Sequence, residues 1–312
     1  ACVPFGMIQV CPDCNPRQHP GYDHEVDRIT GFSINRLSGV GGSGCGGNVS
    51  LLPDRHGERI LLKRATEKAT PGFYEVELSN GVKMRSTATN HMAVEQYTYP
   101  NANEAYLILN PASAFDRLSS FGFTQIDARS ASGHFIGSNT CGRGQYHLYY
   151  HLFSNCDFRL ETSATSQSRL KFSNPKNNTV EVRIVVSNGL EALPSSINKN
   201  NVWSESFENI QQKAAEEWRN VLSLVDVKGG TEEQQRLFYT SLYRTFHSPF
   251  QVTDKPSEPF LGTDGKHHEV TFNYYSSWSL WDTYRTKFPL LCLLQPYRSS
   301  DIMQSLAYIY TT

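Results

Sequence analysis

Near the C-terminal end of the chain, the stretch Ser276–Leu291 (SSWSLWDTYRTKFPLL) places two tryptophans beside an aspartate and an arginine. Trp281 offers a flat apolar face of the kind that the C–H side of a sugar ring covers. Asp282 and Arg285 can make the charge-assisted, often bidentate hydrogen bonds that fix hydroxyl positions. The same two residues are also i and i+3, close enough on a helix to pair with each other. Spacing alone therefore leaves two readings open: one wall of a site for a polyhydroxylated ligand, or a helix-opening ion pair beside a packing tryptophan.

A second stretch, Leu37–Asn48 (LSGVGGSGCGGN), holds six glycines in twelve residues, which lets backbone N–H groups approach a ligand closely. It is not a phosphate loop, because it lacks the G-K-[ST] ending and runs into the strand-like VSLLP rather than a helix. A dinucleotide-binding turn fails for the same reason. A tight inter-strand connection and the rim of an active site both remain. His267 and His268 follow Gly265 in an expected loop with no third metal ligand nearby, and Cys11 and Cys14 form a C-x-x-C with no second pair, so zinc is not specified. No G-x-S-x-G is present. Asp13, Asp264 and Asp282 are acids available for paired-carboxylate chemistry, but the sequence does not pair them.

The elements that must position these residues change in kind along the chain. From Ala1 to about Asn201, short apolar runs are broken by Gly, Pro, Asn and Ser. YEVELSNGVKMRSTAT alternates on both sides of Asn80-Gly81, a hairpin signal in which both turn residues would take positive φ. Further strands are expected at Ala105–Asn110, Gly144–Phe153 and Val180–Leu190, and together they indicate an antiparallel sandwich. From Val202 the period becomes helical: Phe207, Ile210, Ala214, Trp218, Leu222 and Val225 mark one amphipathic face. Lys228–Gly230 ends that helix, and Thr231 with Gln234 forms a capping box that opens another. FPLLCLLQP and SSDIMQSLAYIYTT read as a helix, a proline break and a last helix capped by Ser300. These helices are too few to bury their own apolar faces, so the chain is expected to be the N-terminal part of a longer protein.

Composition narrows the class. The 312 residues suit two domains, and 29 basic against 30 acidic residues give no bulk field for nucleic acid or a membrane surface. No run approaches ~18 consecutive apolar residues, so no membrane span is expected. Seven cysteines, an odd number, do not form a dense disulfide framework, and the state of Cys11 and Cys14 stays open.

Three segments, VPFGMIQVCPD, GYDHEVDRITGFSINRLSGVGGSGCGGNVSLLP and SLWDTYRTKFPLLCLLQPYRSSDIMQSLA, together resemble glycoside hydrolase family 92, and YTSLYRTFHSPF fits the same family. The resemblance implies a fold that is mainly β followed by α. Residues 1–201 would be a galactose-mutarotase-like antiparallel β-sandwich, 202–249 a helical linker, and 250–312 the start of an (α/α)6 catalytic barrel. It also implies an exported, calcium-dependent exo-α-mannosidase that inverts configuration and takes terminal, α-1,2-linked mannose from glycans. The catalytic acid, the base and the calcium ligands would lie beyond Thr312, so none is assigned here and this part alone is expected to be inactive.

On the same resemblance Trp281, Asp282 and Arg285 hold the mannose, and the loop around Gly44 and Cys45 reaches over the pocket. Asn35–Gly39 (NRLSG) departs from the histidine-bearing THLSG-type sequence of many members. Arg36 is therefore expected at the leaving-group sugar, where it would favour a phosphate-bearing one. The competing reading is a non-catalytic carbohydrate-binding sandwich; a structural or adhesion domain would have no need of the Trp281–Asp282–Arg285 cluster.

Overall fold

The computed structural model describes residues 1–15, 21–36, 46–54, 59–111, 118–138, 145–162, 167–187, 189–194, 197–277 and 279–311. The first part is two facing sheets. One runs in the order Cys11–Pro12, Phe32–Ser33, Ser50–Leu52, Tyr106–Leu109, Ser168–Phe172, Phe158–Thr162. The other runs Lys68–Thr70, Phe73–Glu77, Lys83–Ala88, Met92–Thr98, Thr179–Val186, Gln145–Ser154, Ser130–Ser138, Leu118–Asp127. Every strand pairing within both sheets is antiparallel.

The strand Thr179–Val186 shows why this sequence needs a third layer. Val180, Val182, Ile184 and Val186 point into the inter-sheet core with Phe32, Leu51, Leu107 and Leu170. Val185, on the other face, packs with Val94 and Phe153 beneath Phe207 and Ile210 of α1 (Phe207–Leu222). Glu181 and Arg183 share that outer face but are buried there as an ion pair, so the strand alternates in sequence and is nevertheless covered on both sides. The expected hairpin forms with Glu77 opposite Lys83. Only Gly81 has positive φ, +80°, because the Leu78–Val82 bond closes a three-residue loop rather than a two-residue one.

The helices follow in a smaller region. Ser206 caps α1 by accepting from the Asn209 N–H, and α2 (Glu232–Thr245) opens on the expected capping box of Thr231 and Gln234. Helix α1 stops at Leu222, so Val225 lies beyond it although it keeps the period. Then come α3 (Leu280–Thr283), α4 (Lys287–Leu294) and α5 (Pro296–Ile309). Ser300 is not the cap of α5: the helix starts one turn earlier with Pro296 in its first turn, where a missing N–H costs nothing. His267 and His268 form a short strand paired with Phe260–Leu261, not a loop.

The N-terminal segment joins the two regions. Trp218, fully buried in α1, donates from Nε1 to the Cys2 carbonyl at 2.7 Å. Phe5 exchanges backbone bonds with Phe246 and Gln251, and its ring meets those of Phe246 and Tyr275 edge-on. No helix among the described residues is long and apolar enough to cross a membrane.

Candidate functional site

The strand pair Phe250–Gln251 and Tyr275–Ser276 is the platform from which the Trp281 stretch departs. Tyr275 is buried and fixed from three sides: its N–H donates to Ser305 Oγ, its hydroxyl to Gln251 Oε1, and Arg298 donates to that hydroxyl at 2.7 Å. The Arg298 guanidinium also lies 4.6 Å from the centre of the Phe5 ring. Burial pushes the Tyr275 hydroxyl above its ordinary range, while Arg298 opposes that shift, so the tyrosine remains a neutral hydrogen-bonding strut.

Helix α3 is only four residues long, which bears on the helix-opening ion pair expected between Asp282 and Arg285. Arg285 falls past its end, so no shared helical face brings it to Asp282, and no ion pair joins the two among the described residues. Ser279 Oγ instead donates to Asp282 Oδ2. Trp281 is 89% exposed and Tyr284 is also exposed, so the tryptophan is not a packing residue within this fold. The bond between Thr283 Oγ1 and the Ser279 carbonyl at 2.5 Å holds the turn. Lys287, one turn on, reaches back to Ser248 Oγ at 2.6 Å; its burial pulls the ammonium down to about 8. The result is an exposed wall of indole, carboxylate and guanidinium on a hydrogen-bonded base.

The foot of the glycine-rich stretch is a buried polar knot. Arg36 is 2% exposed, and its Nε donates to Asp13 Oδ1 at 3.0 Å. Ser33 and Ser50 donate to the two oxygens of the same carboxylate. Asn35 Oδ1 accepts from the N–H groups of Gly47 and Val49. Gly47 has φ +84°, and a Cβ there would stand 2.6 Å from the Arg36 guanidinium carbon, so a side chain is excluded by conformation and by space. Arg36 thus has its charge met inside the sandwich. Gly44 and Cys45 lie outside the described residues.

The three candidate acids are not brought together by any shared contact. Asp13 is sealed under Arg36; Asp264 binds His268 Nε2 at 2.8 Å, with Tyr308 on the other ring nitrogen; Asp282 stands on the exposed wall. Cys11 and Cys14 are free thiols. Among the described residues no group of three or more His, Cys, Asp or Glu side chains converges as a metal site. Asn48, which opens an N-x-S triplet with Ser50, is buried at the foot of the loop. Arg298, Tyr275 and Lys287, which hold the wall, escaped the sequence reading, because their partners lie 23 to 47 residues away.

Comparison with known proteins agrees in fold and order. Residues 1–187 match the glycosyl hydrolase family 92 N-terminal domain, and residues 195–312 match the family 92 catalytic domain. A solved GH92 family glycosyl hydrolase superposes with TM-score 0.86 at 25% identity, over 99% of this chain and 46% of its own. A GH92 alpha-mannosidase from Bacteroides thetaiotaomicron gives 0.85 at 23%, over 99% and 47%. A GH92 inverting mannosidase from the same organism gives 0.81 at 24%, over 99% and 45%. An uncharacterized secreted glycosidase of Arthroderma benhamiae is 23% identical over 81% of this chain and 40% of its own length. The chain therefore spans less than half the length of these relatives. With the two domain matches following one another along nearly all of its residues, the chain belongs to glycosyl hydrolase family 92.

Proposed function

We propose that this chain supplies the sugar-holding wall of an exported exo-α-mannosidase that removes terminal, α-1,2-linked mannose with inversion. In this reading residues 1–201 are the sandwich domain, 202–249 the linker, and 250–312 the opening helices of an (α/α)6 barrel. The observation that carries the proposal is the exposure of Trp281 at 89% on a turn anchored by the hydrogen-bonded Tyr275, Arg298 and Lys287. An exposed indole beside an exposed carboxylate and guanidinium presents together the apolar face and the hydrogen-bonding groups that a sugar ring engages.

Each residue then has a defined task. The Trp281 indole takes an apolar sugar face. Asp282, with one oxygen oriented by Ser279, accepts hydrogen bonds from sugar hydroxyls, and Arg285 donates to them. The Asp13–Arg36 knot fixes the described foot of the glycine-rich stretch, and in this reading Gly44, Cys45 and Arg36 contribute to the same sugar site. Calcium, when bound, would supply positive charge to the sugar hydroxyls and the developing oxocarbenium. The described residues offer it no converged ligand set, so no step here passes through it.

The test is hydrolysis of α-1,2-mannobiose by the protein carrying this sequence, followed by NMR of the released anomer, with and without a calcium chelator. Asp282→Asn is expected to lower kcat/KM at least a hundredfold with an unchanged melting temperature. Equal turnover by the variant would overturn the assignment.

A further inference from the structure

A cleft of about 390 Å³ opens where the segment after the sandwich crosses the end of the eight-stranded sheet. Trp203 forms one side, Phe153 part of the floor, and Asp127, Arg129, Lys199 and Asn155 the polar lining. None of these residues belongs to the Trp281 wall, and none has a part in the proposed reaction.

Trp203 is held with unusual care for a residue that is 37% exposed. The buried Arg183 stacks on it, with the guanidinium carbon 4.4 Å from the ring centre. That same guanidinium donates to the Val202 carbonyl at 2.5 Å and the Glu205 carbonyl at 2.8 Å, and it pairs with Glu181. Backbone on both sides of the indole is therefore tied to the sheet, and the ring cannot retreat into the core. The opposite rim is equally defined: Asp127 Oδ1 accepts from the Arg129 N–H at 2.9 Å, and Oδ2 accepts from Lys199 at 3.1 Å. Arg129 pairs in turn with Asp157.

We propose that this cleft is a second carbohydrate-binding site, seating a neutral oligosaccharide with one pyranose face on the Trp203 indole. The charges around it decide the class of ligand. Two cations, Arg129 and Lys199, are balanced by two carboxylates, Asp127 and Asp157, so no net field holds an ion. The lining instead offers both donors, Arg129, Lys199 and Asn155, and an acceptor, Asp127, the mixture that vicinal hydroxyls engage. The volume lies in the range of small-molecule sites, and a pre-fixed ring spares the entropy of ordering it. The choice of a saccharide rests on the reading of the chain as glycan-processing.

Calorimetric titration of the protein with α-1,2-mannotriose and, separately, with cellotetraose tests this. Wild type is compared with Trp203→Ala, Lys199→Ala and Trp281→Ala. Trp203→Ala is expected to weaken binding about three- to tenfold, and Lys199→Ala, an exposed change that spares the fold, about two- to fivefold. Should Trp203→Ala melt early, Lys199→Ala and Trp203→Phe carry the comparison. Absence of saccharide binding in the wild type overturns the proposal. So does mannotriose binding that survives Trp203→Ala and Lys199→Ala but is lost in Trp281→Ala, a result that leaves the mannosidase reading standing. Cellotetraose held through Trp203 without any mannotriose binding supports the cleft and counts against the mannoside.

Discussion

The guanidinium of Arg298 donates to the hydroxyl of Tyr275 at 2.7 Å, and this bond ties α5 to the strand that carries the Trp281 wall. The same guanidinium covers Phe5, so the wall is referred back to the first residues of the sandwich.

Arg298→Ala removes a charge-assisted bond and a cation–π contact together. It is expected to cost about 1–3 kcal/mol in denaturant unfolding and to speed amide exchange over residues 276–286. Unaltered exchange there would show that the wall does not depend on this anchor.

Asp282 and Trp281 make few contacts within the fold, so their removal separates binding from stability. Trp281→Ala and Asp282→Asn are expected to change unfolding free energy by no more than about 0.5 kcal/mol, while mannoside turnover falls. A large loss of stability would return Trp281 to a packing role.

Arg36→Ala leaves Asp13 as a buried carboxylate without its main counter-charge. The expected loss is about 3–5 kcal/mol, measured by urea unfolding. Replacing both partners, Asp13→Leu with Arg36→Met, is expected to recover much of it, since an apolar pair leaves no unmatched charge.

Glu95 is fully buried; Tyr97 donates to its Oε2 at 2.6 Å, and Oε1 has no partner among the described residues. Burial raises its carboxyl to about 8, opposed by the Tyr97 hydrogen bond. Between the ordinary carboxylate value, about 4.3, and 8 the folded chain keeps a proton that the unfolded chain releases. Stability from this group therefore falls as pH rises through that window. Glu95→Gln is expected to flatten the pH dependence of the melting temperature from pH 5 to 8; an identical slope in variant and wild type would refute it.

What was legible in the sequence was whatever depends on neighbours in the chain. The Asn80-Gly81 hairpin and the Thr231–Gln234 capping box are complete within a few residues, and both form. The Ser300 cap failed against a local competitor, since Pro296 satisfies the first turn of α5 without it. The face shared by Asp282 and Arg285 failed because periodicity gives spacing but not the length of a helix. Here α3 ends at Thr283, before the second residue is reached.

The sequence by itself determined the class of the molecule: a β-rich first part and helices after Val202. Hydrophobic period, turn chemistry and caps act over three or four residues and are written in order. Tertiary structure decided which residues are free to act. Arg36 and Asp13 are 23 positions apart, yet folding buries them together and so keeps Arg36 off the surface. Arg183 and Trp203, which the structure brings to 4.4 Å, become a fixed ring at the lip of a cleft. Burial and long-range pairing are properties of the packed chain, because desolvation and Coulomb energy depend on distance in space and not on distance in sequence.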